Sequence, residues 1–239
     1  MKVDICIPAY NEAPIIADTI RAVAAELERI PNISWQIIVA DNGSTDETGS
    51  AVSELAIPNV SVLSISPKGK GAAVVAAAKA SVADVFGFID ADLSADPSNI
   101  RNLLSFITEA DIVIGSRLLK EARVDRSWWR SLSSKLFNLT RSRMLGIHVS
   151  DTQCGLKLTN DAGRRELAGC LEQGWFFDVE WLARANDSHL RIREVPISWT
   201  EQRYEGRKAK LNILKDGLQS IGAFSRIRSR LKLEATRGA

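Results

Sequence analysis

The first 120 residues alternate short apolar runs with longer stretches of helical periodicity, and that alternation restricts the possible architecture more than any other feature of the chain. Apolar, strand-length runs fall at 3–8, 35–40, 60–65, 85–89 and 111–115. Residues 15–30, the Ala-rich 71–83 and 97–108 read as helices, the last with Asp96 placed to cap it, and the turn residues 41–46 close the second run. Strands alternating with helices predict an α/β fold: a mostly parallel sheet covered on both faces.

In such sheets ligands gather beyond the carboxyl ends of the strands. Polar clusters fall at three of those ends, at 9–12, 41–46 and 90–94. Asp90 and Asp92, after the run 85–89, could hold Mg²⁺ or Mn²⁺ through carboxylate oxygens, a diphosphate supplying further ligands. Alone, an Asp-x-Asp triplet is a weak signal, read more readily as a helix cap and a turn; three polar clusters on one rim make a site.

The second half is less regular. Residues 126–147 read as a basic amphipathic helix, with Trp128, Trp129, Leu132, Leu136, Leu139 and Met144 among Arg130, Lys135, Arg141 and Arg143. Residues 174–185 look helical, 192–199 look like a strand, and 212–233 form a final helix ending in Arg226, Arg228, Arg230 and Lys232. With no repeat, low-complexity tract or linker, residues 1–211 read as one domain and 212–239 as an appended basic amphipathic segment. Charge divides unevenly: residues 1–120 carry 9 Lys/Arg against 15 Asp/Glu, residues 121–239 carry 22 against 14. The basic half predicts an anionic partner, a phosphate or an acidic membrane surface. No RNA-binding aromatic motif or helix-turn-helix is visible, so nucleic acid is not expected.

Three dispersed cysteines, Cys6, Cys154 and Cys170, form neither a disulfide framework nor a zinc site and favour a reducing cytosol. Cys154 has no acid or His partner in sequence and reads as a structural thiol; His148 and His189 are isolated. The opening run is too short for a signal peptide and no stretch reaches the length of a membrane-spanning helix. A cytoplasmic protein lying on a membrane surface is the expectation.

The motifs Ile7-Pro8-Ala9-Tyr10-Asn11-Glu12, Ala40-Asp41-Asn42-Gly43-Ser44-Thr45-Asp46 and Asp90-Ala91-Asp92, in that order, resemble the nucleotide-binding half of family 2 glycosyltransferases, which have the GT-A fold. The resemblance continues through Lys70-Gly71, Gly115-Ser116-Arg117, Asp151-Thr152-Gln153-Cys154-Gly155 and Phe177-Asp178-Val179-Glu180, and so covers nearly the whole chain. Within the family the later motifs are most similar to polyprenyl-phosphate hexosyltransferases, especially the dolichyl-phosphate glucosyltransferase branch, with mannosyltransferases a little further away.

The resemblance implies a Rossmann-like GT-A sheet, a nucleotide-sugar half at 1–120, an acceptor half at 121–211 and C-terminal amphipathic helices at an interface. It implies that Pro8, Ala9, Tyr10, Glu12, Ala40, Asp41 and Asn42 surround the nucleotide, Asn42 standing where the family more often has a second aspartate. Asp90, Ala91 and Asp92 match the diphosphate and metal positions, Ser94 stands where some relatives have a metal-binding Gln, and Lys70 belongs to the donor site. Arg117 matches a phosphate-contacting arginine, a task suited to its fixed donor fork. Arg130 and Ser134 match residues that hold the acceptor lipid's phosphate, and Arg203 and Lys210 resemble a basic flap over the diphosphate.

The implied reaction moves a hexose, glucose from a UDP-sugar in the first instance, onto a polyprenyl phosphate with inversion. A phosphate monoester is already mostly a dianion at neutral pH and needs no base. A hydroxyl acceptor would need one, and Asp178 or Glu180 are the candidates. A GDP-mannose donor is the alternative within phosphate acceptors, and a catalytically silent membrane-docking module is the non-enzyme alternative. Trp128 and Trp129 beside Arg126 and Arg130 would suit a headgroup layer, so membrane contact is expected to be peripheral.

Overall fold

The computed structural model describes residues 1–66, 68–125, 141–201 and 213–238. Strand β1 (Lys2–Ala9) is followed by α1 (Ala13–Glu28), β2 (Ser34–Asp41), α2 (Thr48–Glu54), β3 (Val60–Ser64), α3 (Lys70–Ala80), β4 (Val85–Ile89), α4 (Asn99–Leu104), β5 (Ile112–Ser116) and β6 (Arg123–Asp125). The second half adds β7 (Leu156–Asn160), α5 (Asp161–Ala168), α6 (Phe177–Asp187), β8 (Ile192–Pro196), β9 (Ser198–Thr200) and α7 (Ile213–Gly238). Every residue of β4 and β5 is buried. Strands covered on both faces have no polar face to alternate with, so they read as continuous apolar runs.

Among the described residues the main sheet has the order β3-β2-β1-β4-β7-β5-β8. Its strands are parallel except β7, which is antiparallel to both β4 and β5. From β1 the chain steps outward through β2 and β3, then returns past β1 to β4 by way of α3. With right-handed crossovers that reversal puts α1 and α2 on one face and α3 on the other. Helix α4 joins the first layer through the Arg101–Glu26 ion pair, and α5 joins the second, where Arg164 donates to the carbonyls of Ala78 and Ser81. The reversal also opens a crevice between the carboxyl ends of β1 and β4.

Strand β7 was not anticipated. Leu-Lys-Leu-Thr-Asn is short and carries a lysine, yet Lys157 is fully buried beneath the sheet's rim. Running against its neighbours, β7 begins where β4 ends, Leu156 pairing with Ile89. The Asp151–Gly155 motif is thereby delivered to the same rim as Asp90. Helices α2 and α5 also escaped the sequence reading, because each buries so few residues that no apolar stripe marks it.

Two further expectations changed in detail. The single strand expected at 192–199 divides at Ile197: β8 closes the main sheet, whereas β9 pairs with β6. Strand β9 also bonds to the loop after Asp92, Thr200 N–H donating to the Ser94 carbonyl (2.8 Å) and Asp96 N–H to that of Ser198 (3.2 Å). In α7, Arg226 and Arg230 are turned onto Glu172, Arg230 also approaches Glu180, and Glu234 receives Arg184. The Phe224 ring meets Phe176 edge-on at 6.1 Å, so the segment 212–239 contributes a helix that packs on α6. Arg228 and Lys232 keep their exposure. Most of the predicted basic helix 126–147, with Trp128, Trp129, Arg130 and Ser134, lies outside the described residues, as do Arg203 and Lys210.

Candidate active site

The rim loops after β1 and β2 are sewn together by hydrogen bonds. Asn42 N–H donates to the Ala9 carbonyl (2.8 Å), Thr45 N–H to Asn11 Oδ1 (2.8 Å), Asn11 N–H to Ser44 Oγ (3.0 Å) and Glu12 N–H to Thr48 Oγ1 (2.9 Å). Asn11 takes a positive φ of 55°, a left-handed conformation that asparagine tolerates, and this turns the chain from β1 into α1. The third cluster is held to the first by Thr19 of α1, whose hydroxyl donates to the Ala91 carbonyl at 2.6 Å. The three polar segments read from the sequence are thus one surface.

Within it, Ala9, Glu12, Ala40 and Asn42 are buried, Pro8 and Asp41 are half-buried, and Tyr10 is exposed with Lys68 Nζ 5.1 Å from its ring centre. Asp41 Oδ1 accepts from Ser44 N–H at 3.0 Å, which shapes the turn. Asn42 Oδ1 accepts from Gly69 N–H (3.0 Å), so this side chain fixes the approach to α3.

Asp90 and Asp92 stand at the end of β4. Asp92 Oδ1 accepts from Ser94 N–H (3.0 Å), and the intervening Leu93 has φ 49°. Asp90 Oδ1 lies 2.5 Å from Lys70 Nζ at the start of α3. Burial would lower the pKa of that ammonium, but Asp90, Asp178 and Asp92 outweigh burial and raise it, so Lys70 stays charged. No cluster of three or more His, Cys, Asp or Glu side chains close enough to hold a metal occurs among the described residues. The site nevertheless suits a hard divalent cation: its donors are carboxylate oxygens, and Lys70 shows that positive charge is already accommodated at Asp90. Protein would supply Asp90 and Asp92, with phosphate oxygens and water completing the shell.

Arg117, just past β5, is gripped by Asp151. Nε and one terminal nitrogen each donate to the carboxylate at 2.8 Å and the Arg117 N–H adds a third bond at 3.0 Å. Burial works against both charges, yet the pairing more than compensates: the guanidinium is pushed above its usual range and the Asp151 carboxyl below its own. Asp151 is itself aligned by Glu194 of β8, which accepts from Asp151 N–H (2.9 Å), Ser150 N–H (2.8 Å) and Ser150 Oγ (2.6 Å). Neither acid was picked out as functional from sequence, although Asp151 sits in a motif that was.

Asp178 and Glu180, the candidate bases, are both buried. Asp178 is 2.6 Å from Lys157 Nζ, which also donates to the Cys154 carbonyl (2.6 Å). Burial raises the Asp178 carboxyl's pKa, with Lys157 and Lys70 opposing. Glu180 accepts the N–H groups of Leu171 (2.9 Å) and Glu172 (2.6 Å). The structure thus buries both, Asp178 against Lys157 and Glu180 against the backbone of 171–172.

The profile of glycosyl transferase family 2 matches residues 4–167, from β1 into α5. The chain belongs to glycosyl transferase family 2. Curated relatives include glycosyltransferase AglD of Haloferax volcanii, 31% identical over 83% of this chain and 33% of that protein. Dolichyl-phosphate β-glucosyltransferase ALG5C of Trichomonas vaginalis is 34% identical over 82% of this chain and 63% of its own length. The dolichyl-phosphate β-glucosyltransferase of Saccharomyces cerevisiae is 30% identical over 87% of this chain and 69% of its length. The chain therefore spans between one third and about two thirds of these relatives. Among solved structures, glucosyl-3-phosphoglycerate synthase of Mycobacterium tuberculosis in complex with Mn²⁺, UDP and glucosyl-3-phosphoglycerate superposes with a TM-score of 0.67 at 20% identity, covering 95% of this chain and 79% of that one. The fold of this family 2 domain is accordingly GT-A. No helix among the described residues is long and apolar enough to cross a membrane.

Proposed function

We propose that this family 2 domain is the catalytic part of an inverting hexosyltransferase that moves glucose from UDP-glucose to a polyprenyl phosphate of the dolichyl type. It works peripherally at the cytoplasmic face of a membrane. The observation that carries this reading is the placement of Asp90 and Asp92 at the end of β4, beside Lys70 and within electrostatic reach of Arg117. The names of the curated relatives supply the acceptor class, and the ligands named for the mycobacterial structure suit a uridine donor and a divalent metal.

Residues 1–120 hold the donor and 121–211 the acceptor. Mg²⁺ or Mn²⁺ at Asp90 and Asp92 would neutralise charge growing on the departing diphosphate. Lys70 adds a fixed cation at that end of the site. Arg117 spends two of its five N–H donors on Asp151 and presents the rest, pre-oriented, to a phosphate. The acceptor phosphate dianion attacks the anomeric carbon in one displacement, which inverts it. That step needs no base, and the burial of both Asp178 and Glu180 favours a phosphate over a hydroxyl acceptor.

The test offers UDP-glucose and GDP-mannose separately, with Mn²⁺ or Mg²⁺, to the protein with dolichyl phosphate in mixed micelles and with soluble hydroxyl acceptors. The expected product is extracted into organic solvent, is cleaved by mild acid and forms from UDP-glucose. Preference for GDP-mannose overturns the donor assignment, and transfer to a hydroxyl overturns the acceptor.

A further inference from the structure

Trp175 is 66% exposed, among the most exposed large apolar side chains described, yet the loop that carries it is bonded at several points. Between α5 and α6, the N–H groups of Leu171 and Glu172 are bound by Glu180, and the Gln173 carbonyl accepts from Ala72 N–H in the first turn of α3 at 3.0 Å. Gln153 Nε2 donates to the Trp175 carbonyl itself at 3.3 Å. Arg226 and Arg230 clamp Glu172 from α7. The fit is close enough to require glycine opposite it: a Cβ on Gly69 would stand 2.1 Å from the Gln173 carbonyl oxygen, and one on Gly71 2.5 Å from that of Glu172. A loop bonded this thoroughly holds its indole in water by construction.

The position of that indole is specific. Lys70 Nζ lies 5.3 Å from the centre of the Trp175 ring and 2.5 Å from Asp90 Oδ1, so one ammonium bridges the ring and the diphosphate-binding acid. A second route joins the same two residues, since Gln153 belongs to the motif whose Gly155 lies against Asp90. A rigid aromatic plane beside a diphosphate site offers a pyranose what charged neighbours cannot, a flat apolar surface for its axial C–H face.

We propose that Trp175 is the sugar-contacting wall of the donor site, its indole stacking on the hexose while Lys70 meets the diphosphate and Asp90 would hold the cation that the diphosphate ligates. The inference rests on the nucleotide-sugar reading above. Trp175 is then a binding residue for the sugar and carries no share of the nucleotide's affinity. The competing occupant of an exposed indole, the apolar chain of the acceptor lipid, is an outcome of the test.

The experiment titrates wild-type protein, Trp175→Ala and Trp175→Phe with UDP and with UDP-glucose in the presence of Mn²⁺, by calorimetry, and follows donor and acceptor KM in the transfer assay. Stacking predicts that Trp175→Ala weakens UDP-glucose binding about fivefold to tenfold. UDP binding should be unchanged within about twofold, with Trp175→Phe intermediate. Unchanged UDP-glucose affinity in Trp175→Ala overturns the inference, and so does a rise confined to the acceptor KM, which would give the ring to the lipid. Parallel loss of UDP affinity also overturns it, because the substitution would then have disturbed the loop. If wild-type protein binds neither ligand, it is the nucleotide-sugar reading that fails.

Discussion

Gly155 lies directly against Asp90: a Cβ at Gly155 would stand 2.1 Å from Asp90 Oδ2 and 2.5 Å from its Cγ. The backbones are joined as well, Asp90 N–H donating to the Gly155 carbonyl at 3.1 Å. Glycine at the start of an antiparallel strand is therefore what lets this carboxylate occupy its place beside Lys70. Overpacking costs about 1–3 kcal/mol where neighbours cannot move, but here the obstructing atoms are the end of a partly exposed side chain. Gly155→Ala should lower the melting temperature by only a few degrees, roughly 2–4 °C for about 1 kcal/mol in a chain of this size. The same change should cut transfer at least about tenfold by displacing Asp90. Thermal unfolding and initial rates on the same preparation check both halves.

Asp92 carries the complementary prediction. It stands two residues beyond Asp90, past the carboxyl end of β4, and that place at the crevice mouth suits metal binding. Asp92→Ala should reduce transfer by about a hundredfold or more while leaving the fold intact. Mn²⁺-dependent stabilisation of the protein by UDP, read as a thermal shift, should vanish with it. Full transfer by Asp92→Ala would remove Asp92 from the metal site.

The Lys157–Asp178 pair, wholly buried under the site, should behave as a unit. Breaking a buried pair leaves a charge without compensation at a cost of about 3–5 kcal/mol, whereas replacing both partners with apolar residues of similar volume is often neutral. Lys157→Met alone should strongly destabilise the protein, and Lys157→Met combined with Asp178→Leu should recover most of the loss. Denaturant melts of the two singles and the double check this through the coupling energy.

Acid sensitivity has a defined sign. The Arg191 guanidinium, with the Arg191 N–H and the Asn160 amide, holds the Asp111 carboxyl at about 2. The folded protein thus binds this proton less readily than the unfolded chain, whose Asp titrates at about 3.9. Stabilisation from Asp111 is complete above about pH 4 and drains as pH falls towards 2. Asp178, raised by burial, works in the opposite direction: its contribution is greatest below the unfolded value and is lost as pH rises through the folded one. Asp111→Asn should flatten the melting-temperature profile between pH 4 and 2, measured against wild type.

All three cysteines are buried, and desolvation pushes each thiol upward, Cys154 to about 12. Native protein at pH 8 should react negligibly with an aromatic disulfide reagent and the unfolded chain should release three equivalents, which a spectrophotometric titration reads directly.

The sequence by itself determined the α/β class, the order of the first five strands and the rim that carries Ala9–Glu12, Asp41–Asp46 and Asp90–Asp92. It could do so because buried parallel strands must be apolar throughout, and polar residues are then confined to their ends. Spacing also made the resemblance to family 2 legible. Only the tertiary structure decided the rest. Strand β7 is too short and too charged to be recognised locally, and Lys157 belongs in the core only because Asp178, from another helix, meets it there. For Asp178 and Glu180, candidate bases by sequence, the surroundings were equally invisible: their partners are distant in sequence or are backbone N–H groups. Trp175 falls in the stretch 174–185 that looks helical, but the helix begins at Phe177, and Glu180, Gln153, Ala72 and two glycines fix the loop that leaves its ring facing water. Contacts between residues far apart in the chain settle which polar groups are neutralised and which are presented, and no local pattern carries that information.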